Sequence, residues 1–193
     1  LMVNISTLLI LLACGAWFSL LLKKQHRWLV VACLILLSVI IPVAGSNPWL
    51  WINGAAGELS IVTLILLTGF ILQILTGWQL LESRTRDHLY LLVLLTGFLL
   101  FPATLGLTQF DPYSTGYTFE LSLLLLSLSI LYWIFQQRQL AMILLVVVAA
   151  DETGVLSSNN TWDYLLAPLL WLFSPVMLSC IYAGRRRTAR TTV

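Results

Sequence analysis

Six carboxylates, Glu58, Asp111, Glu120, Asp151, Glu152 and Asp163, lie in segments that contain no Lys, Arg or His. Carboxylates gathered without counter-charges can ligate a hard cation such as Ca²⁺ or Mg²⁺ through oxygen, receive a cationic group from a partner, or serve as general acid and base. Asp151, Glu152 and Asp163 bracket a stretch rich in Gly, Ser and Asn. With Asp111, Glu120, Trp162 and Tyr164, they are the candidates for binding a partner or a cation. For Glu58 and Glu120 taken singly, a solvated acid in the first turn of a helix is sufficient explanation. No spacing repeats an established metal or catalytic motif, and the sequence names no cofactor. A Ser-His-Asp or Cys-His relay needs an imidazole beside its nucleophile, yet His26 and His88 both lie in basic segments. Phosphoryl chemistry needs a cation at the developing charge, and the acidic segments supply none of their own.

The basic residues have the complementary distribution. All ten Lys and Arg fall in four clusters: Lys23, Lys24 and Arg27; Arg84 and Arg86; Arg138; and Arg185, Arg186, Arg187 and Arg190. Apolar runs separate the acidic segments from the basic ones. With 60% hydrophobic and 9% charged residues and a mean hydropathy of +0.95, the chain has too few charges to cover a soluble globule. Because Lys and Arg are retained on the cytoplasmic side, the alternation predicts seven spans, with the N-terminus outside and the basic C-terminus inside. The expected fold is an all-α polytopic bundle, a single transmembrane domain over residues 1–193 ending in a basic tail from 184. A bacterial inner (plasma) membrane location is expected.

A bilayer core of about 30 Å needs about 20 helical residues. Segments near 5–22, 28–45, 58–78, 88–107, 118–136, 139–156 and 163–183 approach that length, with six spans as the rival count. The sixth is the shortest: its purely apolar part, Leu140 to Ala150, reaches membrane length only by taking in Asp151, Glu152, Thr153 and Gly154. Either the helix stops at Ala150 and both acids are wet, or it continues and Gly154 breaks it. Pro168 and Pro175 predict a kinked last span. Trp and Tyr collect at the span ends as an interfacial belt. Cys14, Cys33 and Cys180 fall within spans and read as small apolar side chains.

The loops Asn47-Pro48-Trp49, Asp111-Pro112-Tyr113 and Asn159-Asn160-Thr161-Trp162-Asp163 resemble one another as Asx turns with aromatics. Asn4-Ile5-Ser6 and Asn159-Asn160-Thr161 also match a glycosylation sequon. Within Glu82-Ser83-Arg84-Thr85-Arg86-Asp87-His88 a phosphate-bearing headgroup could bind, the alternative being a tight turn with local ion pairs. Arg84, Arg86, Arg185, Arg186 and Arg187 are the candidates for headgroup contact.

No row of ionisable residues crosses the predicted spans, which argues against an ion-coupled carrier. The sequence therefore points to a non-catalytic membrane subunit that binds or positions a partner or lipid through acidic, aromatic external loops. Its expected partners are the bilayer and another membrane protein, and not nucleic acid. The alternative is a small membrane-embedded enzyme acting with these carboxylates on a lipid or lipid-linked substrate; a transporter or channel ranks third.

Overall fold

The computed structural model describes residues 5–20, 26–40, 46–107 and 109–191, excepting the side chains of 49, 53, 56 and 185–191. Among the described residues there is no β-strand. The helices are α1 (Ile5–Ser19), α2 (Arg27–Ile40), α3 (Pro48–Ala56), α4 (Ile61–Leu75), α5 (Ser83–Thr104), α6 (Phe119–Ile134), α7 (Arg138–Glu152), α8 (Thr161–Leu165) and α9 (Pro168–Thr191), with a 3-10 helix at Pro112–Tyr117. The seven longer ones coincide with the seven apolar segments of the sequence. Among the described residues only α5, at 22 residues, is both long and apolar enough to cross a membrane unaided. A 15-residue helix such as α1, α4 or α7 reaches about 22 Å, so helix length supports one crossing directly and not seven.

The chain divides into two compact units, Leu1–Leu59 with Thr63–Leu81, and Ser60–Val62 with Glu82–Val193. In the first, α1 and α2 approach closely because the contact is made by small residues. A Cβ at Gly15 would lie 3.1 Å from Val31 Cα, and Ala13, Ala16 and Val31 form a core with Ile71 and Leu75 of α4. Side chains tie the helix ends. The backbone N–H of Leu59 donates to Ser6 Oγ at 3.0 Å, Arg27 Nη1 donates to the Ile74 carbonyl at 2.7 Å, and Asn47 Nδ2 donates to the Val39 carbonyl at 2.8 Å. Arg27 thus places a cation at the C-terminal end of α4, where the helix dipole favours one.

In the second unit α5 packs on α9, and α6 forms a hairpin with α7. Trp171 of α9 lies on Gly97 of α5, flanked by Phe98 and Phe101 at ring-centroid distances of 5.5 and 4.8 Å. A Cβ on Gly97 would come within 2.2 Å of the indole. The α6–α7 turn is a Schellman motif: Gln137 N donates to Tyr132 O at 2.8 Å and Gln136 N to Trp133 O at 3.0 Å. Its left-handed position, φ 61°, is held by Gln136 instead of glycine. Ser129 Oγ then joins the hairpin by donating to the Ala141 carbonyl at 2.8 Å.

The structure decides between the two readings of the sixth segment, moves the start of the last span and separates the three similar loops. Helix α7 runs through both acids to Glu152 and stops at Gly154 (φ 62°) in a second Schellman motif, with Val155 N donating to Ala150 O at 3.1 Å and Gly154 N to Asp151 O at 2.9 Å. The last long helix begins at Pro168 and not near 163: the C-cap Leu166 is extended (φ −118°, ψ 141°), so α8 ends there and stands apart, and Pro168 takes the first helical position, where its missing N–H leaves no bond unmade. The three similar loops fold differently: the first becomes α3, the second a 3-10 helix and the third the short α8. Pro175 does lie inside α9. Lys23 and Lys24 and the Asn4 sequon position are outside the described residues.

Two substitutions test this packing. Ala exceeds Gly in helix propensity by about 1 kcal/mol, yet Gly97→Ala should lower thermal stability in detergent, because overpacking against the indole costs about 1–3 kcal/mol; Trp171→Leu added to it should restore the loss. Gln136→Gly should raise stability, since a left-handed residue with a Cβ costs roughly 1–2 kcal/mol.

Candidate functional site

Three candidate acids of the second unit, Asp111, Asp151 and Asp163, meet where the 3-10 helix, the end of α7 and α8 come together. Asp111 starts the 3-10 helix: its side chain accepts from Tyr113 N at 3.0 Å, and Pro112 follows at the first helical position. This orients the Tyr113 hydroxyl toward Asp163, whose two oxygens lie 3.0 and 2.9 Å away. Ser158 Oγ donates to the same carboxylate at 2.5 Å and accepts from Asn160 N at 3.1 Å. Asp163 is thus held by two hydroxyls of its own chain.

Asp151 is held in a similar way. Thr161 Oγ1 lies 2.5 Å from Asp151 Oδ2 and 3.1 Å from the Gly116 carbonyl. Its single proton serves one acceptor at a time, and the charged carboxylate is the stronger. Asn160 caps α8 by accepting from Trp162 N at 2.9 Å, while its Nδ2 donates to the Tyr113 carbonyl at 3.1 Å. Trp162 Nε1 donates to the Pro112 carbonyl at 2.9 Å. The Tyr164 hydroxyl accepts from Leu156 N at 3.2 Å and lies 3.0 Å from Ser158 O and 3.1 Å from Leu156 O. Asn160 and Tyr164 are fully buried. Gly116 is required at this crossing, since a Cβ there would lie 1.8 Å from Asn160 Oδ1.

Of the candidates, Asp111, Asp151, Asp163, Trp162 and Tyr164 are thus brought together in one hydrogen-bonded clasp. Glu120, in the first turn of α6, and Glu152, the last residue of α7, are exposed. Asp151 and Glu152 point differently, as neighbours about 100° apart on a helix must. Trp162 and Tyr164 form the interior of the clasp, so a docking partner meets other side chains. Among the described residues, no group of three or more His, Cys, Asp and Glu is placed to hold a metal ion. Arg84 and Arg86 lie at the opposite end of the unit, in the first turn of α5, Arg84 exposed and Arg86 half-buried, with Arg86 Nε 4.0 Å from Asp87 Oδ1. The side chains of Arg185, Arg186 and Arg187 are outside the described residues.

Sequence reasoning missed the hydroxyl donors Tyr113, Ser158 and Thr161. The available signal was Asn160 just ahead of Thr161-Trp162-Asp163, a helix start of the Asx-cap type, overlapping the sequon. Burial, then the hydrogen bond and charge of Asp163, raise the Tyr113 hydroxyl above the ordinary tyrosine range. No family model, characterised protein or solved structure matches the chain.

Because the Tyr113 pKa is raised on folding, its contribution to stability is complete at neutral pH and is lost only as the pH rises through that elevated value. Spectroscopic titration of the folded protein should therefore find a late-ionising component that disappears in Tyr113→Phe, and Asp163→Asn should bring that component down. Asp151 is half-buried and its loss leaves the Thr161 hydroxyl only the Gly116 carbonyl, so Asp151→Ala should destabilise the protein by about 1 kcal/mol. Glu152→Gln should stay within about 0.5 kcal/mol. Equal effects in thermal unfolding would contradict the assignment of one acid to the clasp and the other to the surface.

Proposed function

We propose that the chain is a seven-span integral membrane protein, of bacterial inner-membrane type, acting as a non-catalytic subunit that positions a partner on its acidic end. Three features support the membrane reading. The seven apolar segments are helical, and the second unit separates Arg84, Arg86 and Arg138 at one end from Asp111, Glu120, Asp151, Glu152 and Asp163 at the other. Its helices also expose large apolar side chains, among them Leu95, Phe98, Leu124, Ile130, Leu172 and Phe173, as lipid-facing helices do. The basic end is cytoplasmic by the distribution of Lys and Arg.

The observation that carries the non-catalytic reading is the occupancy of Asp151 and Asp163 by hydroxyls of their own chain. A carboxylate committed to a clasp stabilises a surface; it is not poised for proton transfer. The surface beside it presents Phe110, Tyr117 and Phe119 with Glu120 and Glu152. Exposed aromatics next to exposed acids suit a partner with a basic, apolar segment.

Cysteine labelling tests the topology. Leu50→Cys, Ser114→Cys and Val155→Cys should react from outside, and Trp78→Cys and Gln136→Cys only after permeabilisation; external labelling of Gln136→Cys reverses the orientation. The function is tested by pairing Phe119→Ser with Glu120→Lys. That variant should keep wild-type stability and lose both stoichiometric copurification and cellular function. Wild-type function in it, with loss in a stable Asp163→Asn, would favour the enzyme acting on a lipid or lipid-linked substrate.

A further inference from the structure

We propose that the second unit draws the leaflet at its acidic end inward beside α6 and α7, so that water and headgroups reach Glu120 and Glu152 well below the rim set by α5. The inference rests on the membrane-spanning reading. Helices α5 and α7 start level with one another, because the backbone N–H of Glu82, just before α5, donates to Gln139 Oε1 near the start of α7 at 2.9 Å. From that level the 22 residues of α5 reach about 33 Å and the 15 of α7 about 22 Å. The ends therefore differ by about 11 Å, and because Arg84, Arg86 and Asp87 keep the first turn of α5 out of hydrocarbon, α7 stops at least about 8 Å short of a core of about 30 Å. Helix α6, with 16 residues, is about as short, near 24 Å.

The chain fills the step with its own polar groups. After α5 it turns at Gly106 (φ 74°) and comes back, so that the Gly116 carbonyl meets Thr161 of α8, which is itself bonded to Asp151 near the end of α7. Irregular backbone at membrane depth is tolerated only where protein buries it, and Asn160, Thr161, Leu166 and Ala167 are each no more than 5% exposed. Glu120 and Glu152 are not covered. A carboxylate facing hydrocarbon is costly, whereas a bilayer accommodates a short apolar length by thinning at modest cost. Thinning leaves both acids wet with no rearrangement of the clasp.

The test compares positions at one height. Leu95, exposed on α5, is as many residues beyond Glu82 as Glu152 is beyond Gln139. The full chain, with Cys14, Cys33 and Cys180 changed to Ala, is reconstituted in dioleoylphosphatidylcholine vesicles and treated on both sides with a charged thiol reagent. Only the thiolate reacts, so Leu95→Cys in hydrocarbon should react on the order of ten-fold or more slowly than Ser114→Cys. Glu152→Cys and Glu120→Cys should match Ser114→Cys. If both are as slow as Leu95→Cys, the leaflet is not thinned and the proposal fails. Should Leu95→Cys react as fast as Ser114→Cys, the spanning reading fails with it.

Discussion

The Thr161 hydroxyl, set between the Asp151 carboxylate and the Gly116 carbonyl, is the contact on which the acidic end of the second unit depends. It joins three elements with no sequence proximity: the end of α7, the 3-10 helix and the start of α8. The interaction is charge-assisted, and such bonds are roughly twice as strong as neutral ones. Around it Asn160, Trp162 and Tyr164 satisfy backbone groups that the broken path between α7 and α9 would otherwise leave unpaired. A buried polar network is stable only when nearly every member is satisfied. Here the donors and acceptors answer one another, which is why a segment with so little regular structure is among the most buried in the protein.

That arrangement constrains function. Asp163 receives Tyr113 and Ser158, and Asp151 receives Thr161, so the acids best placed for chemistry are the ones already spoken for structurally. The free acids, Glu120 and Glu152, lie on the surface with exposed aromatics nearby. At the other end of the unit, Arg84, Arg86 and Arg138 occur in the first turns of α5 and α7, where the helix dipole disfavours cations. Helix stability does not explain their placement; the proposed membrane orientation, with this end against an anionic leaflet, does.

The helices were legible because apolar runs and charge clusters are local signals. The runs predict all seven longer helices, and Gly154 correctly marks the end of α7. The clasp was not legible, because its bonds join residues about fifty positions apart, such as Tyr113 and Asp163, and one sequence carries no pairing information at that range. Trp162 and Tyr164 illustrate the ambiguity. By type and position they read as interfacial anchors, but the Asn160 cap and the extended Leu166 before Pro168 turn them inward. Boundaries shifted for the same reason: Pro168 could sit inside a kinked span or begin a new helix, and tertiary burial of residues 164–167 decides for the second.

The central claim is that residues 160–167 form a fixed structural clasp and not a mobile loop or an open reaction centre. Amide hydrogen exchange of the reconstituted protein tests this most directly, because it reports local opening. The Leu166 amide, bonded to the Trp162 carbonyl at 2.7 Å, should be protected to the same degree as amides within α7, and that protection should fall in Thr161→Val. Exchange at Leu166 as fast as in an unstructured peptide of the same sequence, in the wild-type chain, would contradict the account.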